Sequence, residues 1–154
     1  MSRSLKRLSL MWSVYNLILV TLIVFVPQLS QFKQLVDFVK ASAVIVGIYW
    51  AFAYVLVGPD EIYKMGQSLW PGIEKPPYYA IDFITHFLPI IVLGPPVYKE
   101  SYILASCFIT VWYTATHEKI KEIYEVLPLN LCDIVVYGGF VACITFYCLA
   151  LFNS

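Results

Sequence analysis

Asp82 and His86 stand four residues apart in Asp82-Phe83-Ile84-Thr85-His86-Phe87-Leu88-Pro89, a stretch otherwise apolar apart from Thr85. On a helix, positions i and i+4 share a face, so the carboxylate can hydrogen-bond one imidazole nitrogen and fix its tautomer. The other nitrogen is then free to act as a base. An ionisable pair in surroundings this apolar is costly unless it faces a protein interior or a water-filled cavity, so it marks a functional site. A base needs a hydroxyl to act on, and the first apolar stretch offers Ser9, Ser13, Tyr15 and Thr21. Ser13 and Asn16, three residues apart, share a helical face. A histidine-activated serine with a nearby asparagine as oxyanion donor is the arrangement that acyl transfer requires. The candidate catalytic residues are Ser13 and His86, supported by Asn16 and Asp82, with Thr21 as a second hydroxyl.

Composition sets the elements that must position these groups. The chain has 154 residues, 60% hydrophobic and 17% aromatic with only 13% charged, and a mean hydropathy of +0.76. Ordinary soluble domains are less apolar than this. The expected fold is all-α: a polytopic transmembrane helix bundle with short loops, forming one integral-membrane domain over residues 1–154. About five spans are expected, at Leu8–Pro27, Ala41–Val57, Tyr78–Leu93, Ser101–Thr116 and Cys132–Leu151. Gly94-Pro95-Pro96-Val97-Tyr98-Lys99-Glu100 stops the third span and turns the chain, which predicts a helical hairpin with the fourth. No signal-peptidase site follows Pro27, so the first span is expected to be retained as a signal anchor. Counted from the Pro76-Pro77-Tyr78 end, His86 lies about 12 Å deep at 1.5 Å per residue, and Ser13 roughly 8 Å deep in its own span.

Lysine and arginine set orientation, because positive loops stay cytoplasmic. Arg3, Lys6 and Arg7, with Lys64, Lys75, Lys119 and Lys121, fall on one side of the expected spans, and Lys33, Lys40 and Lys99 on the other. The N-terminus is therefore expected in the cytoplasm. The formal net charge is zero with basic residues scattered, which leaves no footprint for nucleic acid. Cys107, Cys132, Cys143 and Cys148 lie in or beside apolar spans without CxxC spacing, and the histidines are His86 and His117 alone. Neither a metal nor a cofactor is expected, and the cysteines read as small hydrophobes. His117 reads as a solvated boundary residue ahead of an interfacial helix over Ile120–Val126.

Two non-hydrolytic classes use the same residues differently. In a multi-pass scaffold the polar groups only join helices, and partners meet the Lys33–Lys40 or Lys119–Glu125 segments. In a proton-coupled transporter Asp82 and His86 would form a relay.

The order of features resembles the androgen-induced-gene family of multi-pass membrane hydrolases. Met11-Trp12-Ser13-Val14-Tyr15-Asn16-Leu17-Ile18-Leu19-Val20-Thr21 is similar to that family's helix around its nucleophile, with serine standing where the family has threonine. Tyr49 to Val57 and the following Asp60-Glu61-Ile62-Tyr63 resemble the second characteristic span and its acidic exit. Asp82 to His86 with Pro89 is similar to an asparagine, histidine and proline cluster, with aspartate replacing asparagine. Trp112 and the Tyr124–Pro128 stretch echo a later aromatic and proline region. The resemblance implies hydrolysis of fatty acid esters of hydroxy fatty acids, with Ser13 as nucleophile and His86 as base. It further implies the lipid bilayer and a lipid ester as the partners, without a cofactor, in the endoplasmic reticulum or cell membrane. One span fewer than in the longer members is expected.

Overall fold

The computed structural model describes residues 18–123 and 129–152, and these are helical throughout apart from short turns. Residues 18–25 are helical, α1. A 3-10 turn at Pro27–Gln31 leads into α2, Lys33–Val57. Then come α3 at Pro59–Leu69, α4 at Lys75–His86 and α5 at Leu88–Leu93. Two long helices follow, α6 at Glu100–Ile123 and α7 at Leu129–Phe152. The all-α expectation holds.

Proline and glycine place the breaks. Gly58 ends α2 at φ 85°, a left-handed conformation that favours glycine, and Pro59 opens α3 in the first turn, where its missing N–H costs nothing. Asp60 and Glu61 lie in that first turn, where the helix dipole favours negative charge. Pro76 and Pro77 open α4 in the same way. Pro89 cannot donate to Thr85, so the helix breaks at Phe87 and restarts as α5. The third expected span is thus two helices in line. The second starts at Lys33, eight residues ahead of the expected Ala41, and so absorbs the expected Lys33–Lys40 loop. The expected separate interfacial helix after His117 is also absent up to Ile123, because α6 runs on without a break to that residue.

Helix α2 is the hub, packing against α3, α4, α5, α6 and α7. Ala41 and Ala105, both fully buried, let the backbones of α2 and α6 approach, with Ile45 and Ile109 closing the contact. Ile62, Met65 and Tyr78 bury α3 against α4, while Tyr113 and Val136 join α6 to α7. The expected hairpin of the third and fourth spans forms its turn, but α5 and α6 each pack on α2 instead. Asp37 explains why: its buried carboxylate accepts the Val97 and Tyr98 backbone N–H groups at 2.8 and 2.7 Å, drawing the 94–99 turn onto α2.

Large apolar side chains are exposed along the helices. Phe25, Val55, Ile91, Val97 and Phe146 are each more than two-thirds exposed. By length and composition two stretches can cross a membrane, Lys33–Val57 and Lys75–Leu93, and Val136–Leu149 is a shorter apolar helix. The two longer stretches contain the second and third expected spans.

Candidate functional site

The Asp82–His86 pair sits on α4 one turn before the break, facing α2. Asp82 is 6% exposed and its carboxylate collects three donors. Trp50 Nε1 donates to Oδ2 at 2.7 Å and the Tyr54 hydroxyl donates to the same oxygen at 2.6 Å. His86 Nδ1 lies 3.2 Å from Oδ1. A buried carboxylate is tolerated only when hydrogen-bonded in this way.

The surroundings of Nδ1 fix the tautomer. It lies 3.1 Å from the Asp82 carbonyl oxygen and 3.0 Å from Thr85 Oγ1. The Thr85 hydroxyl is within donating distance of the Ile81 and Asp82 carbonyls, at 3.0 and 3.1 Å, so it turns a lone pair towards the imidazole. Nδ1 therefore faces the Asp82 carboxylate and carbonyl as acceptors, which favours the tautomer with its N–H at Nδ1. Nε2 has no hydrogen bond among the described residues, and in the neutral ring it holds the basic lone pair. The imidazole lies flat against Trp50, ring centroids 4.5 Å apart and planes 18° from parallel.

Gly47 sets how closely the two helices meet. A Cβ there would lie 3.0 Å from the His86 carbonyl oxygen and collide with Ile90 Cδ1. Gly47, Trp50 and Tyr54 recur at helical spacing along one face of α2, and Asp82, His86 and Ile90 do so along the facing surface of α4 and α5.

The expected Asp82 to His86 contact is present. Ser13 and Asn16 lie outside the described residues, and Thr21 is an exposed residue on α1. Sequence reasoning assigned no role to Trp50 and Tyr54. Their signal is the i, i+4 spacing of two aromatic donors on one apolar span, matching the i, i+4 spacing of Asp82 and His86. It also missed Asp37 and Asp133, the latter accepting the Tyr113 hydroxyl at 2.8 Å between α6 and α7. Both join elements: Asp37 ties α2 to the 94–99 turn, and Asp133 ties α7 to Tyr113 on α6. Among the described residues no three His, Cys, Asp or Glu side chains converge as metal ligands, and Cys107, Cys143 and Cys148 are free thiols.

No family of known proteins, no curated protein and no solved structure matches the chain.

Proposed function

We propose that this chain is a multi-pass membrane protein, N-terminus in the cytoplasm, that hydrolyses lipid esters of the fatty acid ester of hydroxy fatty acid type. The observation that carries the proposal is the set of contacts at His86 Nδ1, which lies 3.2 Å from Asp82 Oδ1, 3.1 Å from the Asp82 carbonyl and 3.0 Å from Thr85 Oγ1, and so leaves Nε2 as the base. In this reading His86 Nε2 takes the Ser13 proton, and the serine oxygen attacks the ester carbonyl while Asn16 donates to the oxyanion. The alcohol leaves with the proton from the imidazolium. Water, deprotonated by the same nitrogen, then releases the fatty acid. Apolar surface on α2 and α4 accommodates acyl chains arriving sideways from the bilayer.

Covalent labelling of the full chain in lipid by a fluorophosphonate tests the proposal. Labelling that is lost in both Ser13→Ala and His86→Ala is the expected result. Absence of labelling in folded wild type overturns it.

A second reading has its own support. Trp50 and Tyr54 both donate to Asp82, an arrangement that on its own ties α2 to α4 and suits a non-enzymatic membrane scaffold. That reading predicts that Asp82→Asn loosens the fold and that folded wild type takes no fluorophosphonate label.

A further inference from the structure

At the opposite end of α2 from Trp50, some 25 Å away by helical rise, a cavity of about 840 Å³ opens between the starts of α2 and α6. Its size is that of a small-molecule site. Four observations describe what it would hold. Helix α2 starts there without a side-chain cap and without an acid in its first turn, and the N–H groups of Lys33, Gln34 and Leu35 have no acceptor among the described residues. Such a helix start attracts an anion, and the Lys33 ammonium stands beside it. Glu100 lines the opposite wall at the start of α6, yet Lys33 and Glu100 form no ion pair with each other or with any other described residue. Ser101, only 5% exposed, lines the cavity with a hydroxyl that has no hydrogen-bond partner among the described residues. Leu35 and Leu104, 52% and 62% exposed, carry the wall outward onto the apolar surface.

We infer that this cavity binds a zwitterionic phospholipid, a phosphatidylethanolamine in particular. The phosphate accepts from the α2 N–H groups, Lys33 and the Ser101 hydroxyl. The primary ammonium donates to Glu100, which a quaternary ammonium cannot do, and the acyl chains leave along Leu35 and Leu104. Opposite charges on two walls that do not meet fit a ligand carrying both signs, and the apolar exit fits a lipid rather than a soluble headgroup. The inference rests on the membrane-embedded part of the proposed function and not on ester hydrolysis.

Native mass spectrometry of the full chain released from detergent micelles tests it, with phosphatidylethanolamine, phosphatidylglycerol and soluble phosphoethanolamine as probes. One phosphatidylethanolamine per chain is expected, held more tightly than phosphatidylglycerol. Lys33→Gln and Glu100→Gln, both at exposed positions, are each expected to weaken retention by about fivefold. Ser101→Val is read together with Leu104→Trp, which fills the cavity from an exposed position and abolishes retention without disturbing a buried residue. Unchanged retention in Lys33→Gln, Glu100→Gln and Leu104→Trp overturns the site. Equal retention of phosphatidylglycerol overturns the zwitterion, and competition by phosphoethanolamine at the lipid's own concentration overturns the lipid. A chain that stays in solution without detergent removes the membrane reading itself, whereas lipid retention without fluorophosphonate labelling leaves this site standing and removes only hydrolysis.

Discussion

The indole of Trp50 does two things for its neighbours on α4: its face covers the imidazole of His86 at 4.5 Å, and its N–H donates to Asp82 at 2.7 Å. One side chain of α2 thereby holds both members of the pair, so their geometry depends on the register of α2 against α4.

Trp50→Phe keeps a ring over His86 and removes the donor, while Tyr54→Phe removes the second donor to the same oxygen. Each loses a hydrogen bond to a charged acceptor, worth about 1.5 to 3 kcal/mol. Because the two donors share Oδ2, the double variant is expected to depart from additivity by about 1 kcal/mol in detergent unfolding curves. Simple additivity would show that the carboxylate is satisfied independently by each.

Asp82→Asn keeps the size and removes the charge. Its carboxamide cannot accept from Trp50, Tyr54 and His86 together without setting an N–H against one of the donors. Unfolding stability is expected to fall by about 2 to 4 kcal/mol, and fluorophosphonate labelling to fall at least tenfold as the imidazole loses its fixed tautomer.

Gly47→Ala places a methyl against Ile90 and the His86 carbonyl. The expected cost is about 1 to 3 kcal/mol. Shortening the neighbour in Gly47→Ala/Ile90→Ala returns part of it, and no recovery would place the conflict at the His86 backbone.

Asp37→Ala strands the Val97 and Tyr98 N–H groups. Amide hydrogen exchange at those two positions is expected to accelerate at least tenfold, with little change on α7.

Asp60 gives the pH dependence. The hydrogen bond from Lys75, followed by its charge, holds the Asp60 carboxyl below its ordinary range. With a folded value lower than the unfolded one, the contact supports the fold above the ordinary carboxylate value of about 3.9 and is lost as pH falls through the folded value. Both groups are exposed, so the effect on unfolding is small. Carbon-13 titration of Asp60 in Lys75→Gln is expected to return the carboxyl towards its ordinary range.

The runs that form α2, α4 with α5, α6 and α7 were legible in sequence because apolar stretches and the 94–99 turn mark them independently of tertiary contacts, whereas α3, Pro59–Leu69, was not expected, since its mixed polar composition carries no apolar run. The Asp82 to His86 contact was legible for the same reason, being an i, i+4 relation within one helix. The break at Phe87 was written in Pro89 but hidden by the continuous hydropathy on either side. Trp50 and Tyr54 could not be assigned, since their partner lies on another helix and aromatic residues in apolar spans serve several roles. Asp37 was hidden in a segment whose lysines at 33 and 40 made it read as a loop. Ser13 and Asn16 lie outside the described residues, so the pairing of Ser13 with His86 rests on the labelling experiment.

The bond between Asp37 and the 94–99 turn also bears on how the chain is made. The amides that satisfy this carboxylate are 60 and 61 residues downstream. At synthesis rates of 5 to 20 residues per second, they emerge about 3 to 12 s after Asp37 itself. During that interval α2 has an unmatched acid near its start, and Trp50 and Tyr54 await an acceptor on α4. The central helix is thus synthesised well before the groups that complete it, and its final seating must follow the arrival of the 94–99 turn.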